Sequence, residues 1–206
     1  MALTSKPKKH KFSGFSLVEA FQHLNLAKLT PWVIEAELVT PSNFFNQRLK
    51  KLQRFDLRAS EESKKLLIDA ILEEGLEGFT QLKIWKGANL ETDTVGGYVD
   101  YLVAEDRDYL YAPFLCVMEA KKDNFEQGLA QCLVEMAACQ WSNHQVGREI
   151  TVFGIVTNGE GWKFYRLGLT GEVEETDLYS IQNIEAVLGV LRFVFSVCEH
   201  NLLQAA

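Results

Sequence analysis

The sequence predicts a single α/β domain built on a central mixed β-sheet with helices on its faces. Helical and extended patterns follow one another in the order helix, three strands, helix, two strands, helix, which is typical of a layered α/β architecture. Hydrophobic residues make up 47% of the chain and charged residues 24%, an ordinary globular composition. The length of 206 residues favours one domain with a short appendage.

The charge is divided unevenly along the chain. Residues 1–58 carry ten Lys or Arg against four Asp or Glu, whereas residues 59–206 carry 11 against 24, so that +6 and −13 combine to the net −7. We therefore predict a basic N-terminal extension over 1–58 and a main domain over 59–206. Such asymmetry indicates an anionic partner for the basic part, although a solvated tail with an amphipathic helix has the same signature.

The extension has its own pattern. Its first dozen residues resemble a disordered tail. Apolar spacing then predicts a helix over 15–29, a short strand over 32–39 and a helix over 43–55. The polar face of the last helix and the residues after it are basic and consist of Arg48, Lys50, Lys51, Arg54 and Arg58.

The main domain opens with a helix. Ser60 is a suitable N-cap, and Glu61 and Glu62 occupy the first turn, where the helix dipole favours anions. We expect this helix to end at Gly75 or Gly78. Three strands are predicted after it, over 81–85, 97–104 and 113–121, the last two as an antiparallel hairpin.

The second half of the domain alternates in the same way. The run Asp123–Glu126 is typical of a capping box, and it predicts a helix that begins there and ends at about residue 141. The turn Asn158–Gly161 joins strands over 150–157 and 162–167 in a second hairpin. A last, apolar helix is predicted over 183–203.

Several protein classes are excluded by the residues themselves. The four cysteines contain no C-x-x-C pair and the four histidines are scattered, so no zinc spacing is present. Reduced, buried thiols in a cytoplasmic protein are the expected state. No apolar run free of charges reaches the roughly 18–20 residues of a membrane span, and the basic N-terminus lacks the apolar core of a secretory signal.

The chemistry-bearing residues lie on the second and third predicted strands. Glu119 and Lys121 close a buried apolar run and point to the same face, because side chains alternate along a strand. Asp100 interrupts the preceding apolar strand. Buried charges are costly unless they are paired or bound to a metal, so two strands of one hairpin would bring the two carboxylates to one ion. An isolated E-x-K is usually a surface ion pair, but the apolar context and Asp100 favour a site.

This pattern resembles the PD-(D/E)XK nuclease superfamily, whose members share a restriction-endonuclease-like core. Asp100 matches the first acid of that motif, and Glu119-Ala120-Lys121 matches its E-x-K. The amino-acid sequence around these residues in the two strands is similar to that of the nuclease domain of type I restriction enzyme R subunits and related stand-alone proteins. The resemblance covers roughly residues 60–167. No proline precedes Asp100, which is a mild departure from the motif.

The resemblance also implies two supporting residues on helices. For the glutamate of the first helix we prefer Glu62, with Glu73 as the competitor. For the glutamine of the helix after the E-x-K strand we choose Gln131, although the stripe that it shares with Gln127 and Glu135 fits a solvated helix face equally well. No DNA-reading module is evident beyond residues 1–58.

The function implied is a Mg²⁺- or Mn²⁺-dependent nuclease acting on DNA. Asp100, Glu119 and the Ala120 carbonyl would hold the metal, and Lys121 would position water and offset charge on the phosphoryl group. The alternative is a catalytically inactive fold that binds nucleic acid or protein. A third hypothesis makes the chain a homodimer or the subunit of a partner, with the apolar last helix as the seam, although such helices are commonly core.

Overall fold

A mixed β-sheet forms the centre of the molecule and carries helices on both faces. The computed structural model describes residues 9–121 and 123–203, and every statement of structure refers to these residues. The α-helices in them are α1 (Leu17–His23), α2 (Asn43–Leu52), α3 (Glu61–Leu76), α4 (Phe125–Gln145) and α5 (Ile184–Leu203). The strands in them are β1 (His10–Lys11), β2 (Thr30–Pro31), β3 (Leu82–Glu91), β4 (Val95–Glu105), β5 (Phe114–Ala120), β6 (Val152–Thr157), β7 (Gly161–Leu167), β8 (Val173–Glu175) and β9 (Tyr179–Ser180).

The sheet follows the order β1-β4-β5-β6-β7-β8-β2, with β3 paired to β4 and β9 to β7. Strands β3, β4 and β5 are antiparallel neighbours, β5 and β6 are parallel, and β6 and β7 form an antiparallel hairpin. The helix α4 makes the crossover between the two parallel strands. The mixed α/β architecture and the order of elements from α3 to α5 are therefore those that the sequence predicts, with the short strands β8 and β9 added.

Two apolar cores lie on the two faces of the sheet. One packs under α2, α3 and α5 and includes Ile68, Leu188 and Trp162. The other packs under α1 and α4 and includes Leu102 and Leu133. The apolar stripes of the helices are buried against alternate residues of the strands, which fixes the register of each strand. All four cysteines are buried and free, as expected.

The basic extension contributes to these cores. The strand β1 pairs with the start of β4, and β2 pairs with β8. Phe12 is only 1% exposed and packs beside α4. The predicted disorder is therefore wrong for residues 10–12, and the rest of that prediction, over residues 1–8, lies outside the described residues. An apolar side chain that fills a core pocket holds the tail in place.

Other expectations for the extension also need correction. The first helix is shorter than predicted because Asn25 adopts a left-handed φ of 54°, which ends it after His23. The second, α2, ends at Leu52 instead of continuing to Phe55. No strand forms over 32–39. That segment leaves β8 and crosses α5, where the Val39 amide donates to the Glu185 carbonyl at 3.1 Å. Because its backbone hydrogen-bonds to the start of α5 there, the segment does not continue the hydrogen-bond ladder of the β-sheet.

The cap of α4 differs from the predicted one by a residue. The side chain of Asn124, not of Asp123, accepts the hydrogen bond from the Gln127 amide, at 2.9 Å. Asp123 instead lies 3.8 Å from the Lys64 ammonium. Both residue types cap helices well, so the sequence alone offered two equivalent starts. In α3, by contrast, the Ser60 hydroxyl accepts from the Ser63 amide as predicted.

The helix α5, with the short 3₁₀ turn before it, is long and apolar enough by composition to cross a membrane. Its mean hydropathy over the most apolar window is 1.5. Core helices share this composition, and one face of α5, with Val187, Leu191 and Phe195, is buried against the sheet and α3. The apolar length therefore follows from its place in the core.

A break in the side-chain alternation of β4 positions the candidate site. Val99 packs in the core under α4, whereas Tyr101 packs in the core under α3. Strict alternation would put both on one face. The break falls at Asp100, across from Gly87 of β3, whose φ of 60° suits glycine. As a result, the consecutive side chains of Asp100 and Tyr101 both hydrogen-bond to α3.

Candidate functional site

Asp100 joins three elements where the sheet opens at the end of β5. Its Oδ2 accepts a hydrogen bond from the Ala120 amide at 2.9 Å, so a side chain takes the place of a backbone ladder bond. Its Oδ1 accepts from the Lys65 ammonium of α3 at 2.8 Å. The side chain is 20% exposed. The carboxylate is thus fixed by one backbone donor and one cation.

Glu119 is almost completely buried on the opposite side of β5 from Ala120. Its Oε1 lies 2.5 Å from the Lys121 ammonium, and its Oε2 accepts from Gln131 Nε2 at 3.0 Å. Burial, and then the neighbouring charge of Asp100, raise the pKa of Glu119 to about 7, while Lys121 acts in the opposite direction. The two carboxylates are therefore near enough to repel each other, and a cation between them would favour both charges.

Gln131 connects the lysine with two acids. Its Oε1 accepts from the Lys121 ammonium at 3.2 Å, and its Nε2 donates to Glu119 and also to Glu135 Oε1, at 3.0 Å. It is 6% exposed and belongs to the site, so the face of α4 that carries it is not solvated. The amide holds the side chains of β5 in one orientation.

Glu135 is fully buried one turn further along α4. Its Oε2 has no hydrogen-bond partner among the described residues. Burial, and then the charge of Glu119, raise the pKa of Glu135 well above the ordinary range. Its surroundings therefore favour the protonated form of the carboxyl group.

Lys65 is the site residue that sequence reasoning missed. Its ammonium is bound to Asp100 and lies 3.6 Å from Glu62 and 4.0 Å from Glu61 in the first turn of α3. Although burial acts to lower it, the pKa of Lys65 is raised because Asp100 accepts its hydrogen bond and adds a negative charge. The sequence signal that could have identified Lys65 is its spacing from Glu62 and Glu61, which precede it by three and four residues and so lie beside it on the helix surface.

The residues predicted from the strand motif come together. Asp100, Glu119, Ala120, Lys121 and Gln131 are joined by direct hydrogen bonds or ion pairs, or are neighbours in the chain. We call these five, with Lys65 and Glu135, the carboxylate cluster. The expectation that Glu119 and Lys121 share a face is confirmed.

The predicted helix acid is less central. The Glu62 side chain is 84% exposed and touches the cluster only through Lys65. The charge of its neighbour Glu61, by contrast, acts to raise the pKa of both Glu119 and Lys121. Glu73, the competitor, is engaged elsewhere, in a 2.9 Å ion pair with Arg48. Whether Glu62 supports the site stays a prediction.

The basic residues of the extension lie along one side of the molecule. Lys50, Lys51 and Arg54 are exposed and line a cavity of about 560 Å³ with Phe55. Arg48 is half-buried in its ion pair with Glu73, so it is less available to an outside partner than these three exposed residues. Arg58 lies 3.7 Å from Glu160 in the β6–β7 turn. That turn follows Thr157, whose carbonyl accepts the Lys121 amide at 2.9 Å, so the turn that Arg58 contacts begins beside Lys121.

The donor set of the cluster suits a hard divalent cation. Asp100, Glu119 and the Ala120 carbonyl offer oxygen atoms only, which Mg²⁺ and Mn²⁺ prefer. No group of three or more His, Cys, Asp or Glu among the described residues is arranged to hold a metal. A metal here would thus rely on two carboxylates, a carbonyl and water. The charge of the partly exposed Asp100, which raises the pKa of the buried Glu119, is the observation that fits such an ion.

A second polar group lies beside the cluster. Asp69 accepts hydrogen bonds from the Tyr101 hydroxyl at 2.8 Å and the Lys86 ammonium at 2.7 Å. These residues line a cavity of about 460 Å³. The cavity is lined by none of the carboxylate cluster, and its two lysines, Lys83 and Lys86, are paired with Asp106 and Asp69, so we assign it a structural role.

Comparisons with known proteins assign no family. A scan against protein-family models finds no match to the chain. A search of curated proteins finds no significantly similar sequence. The functional inference therefore rests on the geometry of the carboxylate cluster and on the sequence pattern that carries it.

Proposed function

We propose that this protein is a metal-dependent nuclease that hydrolyses phosphodiester bonds of DNA. The observation that carries the proposal is that Asp100 of β4 accepts from the Ala120 amide at the end of β5, next in the chain to Glu119, while Lys121 and Gln131 are bound to Glu119. Buried carboxylates with a raised pKa and a lysine beside them are common at functional sites, because a purely structural core gains little from them.

The order of helices and strands along the chain also supports a restriction-endonuclease-like core. Helix α3, the strands β3 to β5, helix α4 and strand β6 follow the order helix, three strands, helix, strand of the resembled superfamily. The E-x-K residues lie at the end of β5, and Asp100 lies on its antiparallel neighbour β4.

The residues divide the chemistry between them. Asp100, Glu119 and the Ala120 carbonyl would hold Mg²⁺ or Mn²⁺. When bound, such an ion polarises the phosphoryl group and lowers the pKa of a water molecule. Lys121 carries the positive charge that offsets the charge developing on the phosphate, and it orients the attacking water. Gln131 keeps the Lys121 ammonium and the Glu119 carboxylate aligned.

The DNA backbone is proposed to lie along the exposed basic residues of the extension. Arg58 contacts the turn that begins beside Lys121, Arg54 follows α2, and Lys50 and Lys51 lie in its last turn. Phosphate contacts of this kind position a duplex without reading its sequence. Recognition of a particular sequence would then require a second copy or a partner subunit.

A plasmid-nicking assay with Mg²⁺ or Mn²⁺ tests the activity. The wild-type protein should nick supercoiled DNA, and Asp100→Asn and Lys121→Met should each slow nicking by about 100-fold or more, because each removes a charge that acts in the transition state. The matched control is Lys163→Met, which instead breaks the half-buried ion pair between Lys163 of β7 and Glu175 of β8. Cleavage that persists unchanged in both site variants would refute the assignment.

One observation favours a second function, that of a non-catalytic binding module. Lys65 and Lys121 already neutralise Asp100 and Glu119, so the fold does not need a metal to satisfy its carboxylates. Calorimetry with Mn²⁺ separates the two functions. A nuclease should show metal binding that disappears in Asp100→Asn. Absence of any binding that depends on Asp100 and Glu119 would favour the binding module.

A further inference from the structure

One ammonium group in the cluster is surrounded by three carboxylates. Lys65 Nζ lies 2.8 Å from Asp100, 3.6 Å from Glu62 and 4.0 Å from Glu61, and its side chain is only 17% exposed. A single structural ion pair needs one partner. Glu61 and Glu62 in the first turn of α3 are two further carboxylates with which the same ammonium group can pair.

The position of Lys65 on Asp100 also matters. Asp100 Oδ2 accepts from the Ala120 amide, and Oδ1 accepts from the Lys65 ammonium at 2.8 Å. Lys65 therefore supplies the charged partner that this carboxylate has in the structure. A divalent cation that binds Asp100 meets a positive charge already on the same carboxylate, so the two compete for it.

We propose that Lys65 is a second lysine of the active site, which competes with the divalent metal for Asp100 and, once displaced, lends its charge to the phosphate of the bound DNA. The inference rests on the proposed function. It differs from the E-x-K pattern because Lys65 comes from α3 and contacts the opposite carboxylate from Lys121. Glu61 and Glu62 keep the released ammonium beside the metal site.

The proposal predicts opposite effects of one substitution on two measurements. In calorimetry without DNA, Lys65→Met should bind Mn²⁺ about 5- to 50-fold more tightly than the wild type, because a competing positive charge is gone. At saturating Mn²⁺ the same variant should cleave plasmid about 10-fold or more slowly, because the phosphate loses a cation. A lysine that only stabilises the fold would give neither the tighter binding nor the split between the two measurements.

Two further variants keep the test decisive. Lys65→Gln retains one donor for Asp100 without the charge, and should behave as Lys65→Met does if the methionine variant folds poorly. Lys86→Met, which frees Asp69 rather than Asp100, is the matched control and should bind Mn²⁺ as the wild type does. Unchanged or weaker Mn²⁺ binding in both Lys65 variants would overturn the proposal, and so would full cleavage at saturating metal.

The same titrations distinguish failure of this inference from failure of the proposed function. If Asp100→Asn abolishes Mn²⁺ binding while the Lys65 variants match the wild type, only the role of Lys65 is wrong. If the wild type binds no Mn²⁺, or Asp100→Asn binds it equally well, the metal-dependent function itself is refuted together with the role of Lys65.

Discussion

Two buried acids share one amide in this protein, and their protonation links the site to stability. Glu119 and Glu135 both accept from Gln131, and burial is the largest cause of the raised pKa of each. A carboxyl group whose pKa is higher in the folded state than its ordinary value of 4.5 stabilises the fold below that value. This stabilisation is lost as the pH rises through the folded pKa, about 7 for Glu119.

Glu135→Gln should therefore stabilise the metal-free protein at alkaline pH. The amide keeps the shape of the protonated acid and removes the cost of taking up a proton on folding. We expect a gain on the order of 1–3 kcal/mol at pH 8 that vanishes near pH 4. Urea unfolding in the presence of EDTA at several pH values measures it.

The control for this measurement is Glu77→Gln, at an exposed glutamate after α3. Its stability should stay within about 0.5 kcal/mol of the wild type at every pH. Parallel pH profiles for Glu135→Gln and the wild type would show that the buried carboxyl does not hold a proton in the folded state.

At the scale of elements, the contact between α5 and the segment over 32–39 depends on a residue without a side chain. A Cβ at Gly189 would lie 2.2 Å from the Glu37 carbonyl oxygen. The segment crosses the helix at this point, and its backbone cannot retreat as a flexible side chain would. Helix propensity alone favours alanine over glycine here by about 1 kcal/mol, so the two effects have opposite signs.

We expect Gly189→Ala to lower the free energy of unfolding by about 1–3 kcal/mol, as overpacking a close contact typically does. Denaturant unfolding measures the change. Ser196→Ala, at an exposed position of the same helix, is the control and should be neutral or slightly stabilising. A Gly189→Ala protein as stable as the wild type would mean that the segment shifts freely and does not hold α5.

At the scale of the whole molecule, the net charge of −7 averages over two unlike regions. The acidic excess belongs to the part that carries the carboxylate cluster. The exposed lysines and arginines belong to α2 and the turn after it, and Arg58 contacts the turn that begins beside Lys121. Binding to phosphate depends on where cations lie rather than on their total, because each contact releases counterions locally.

Removing Lys50, Lys51 and Arg54 together, each replaced by Ala, should weaken binding to a DNA duplex by about 10-fold or more at low salt. The slope of log affinity against log salt should shrink by about 0.9 for each phosphate that the variant no longer neutralises. Fluorescence anisotropy in EDTA, which prevents metal-dependent cleavage, measures both. Lys28→Ala, an exposed lysine of the extension outside α2, should change neither. Unaltered binding by the triple variant would place the DNA elsewhere.

Local patterns in the sequence determined most of the elements and the strand half of the candidate site. Alternation along β5 placed Glu119 and Lys121 on one face, and the Ser60 cap started α3 where expected. Both depend on neighbours within a few residues, so they can be derived without knowing the fold. The choice of Gln131 came from the family resemblance, because its spacing fitted a solvated helix face equally well and did not show that it is buried.

Only the tertiary structure decided which distant groups meet. Lys65 reaches Asp100 because the alternation of β4 breaks opposite Gly87, and no local pattern encodes that contact between residues 35 positions apart. The same holds for the buried Phe12 and for the segment that crosses α5 instead of forming a strand. The sequence by itself determined that Glu119 and Lys121 share a face at the end of β5. Packing of the helices on the sheet decided their partners, since burial and charge pairing are properties of the assembled core.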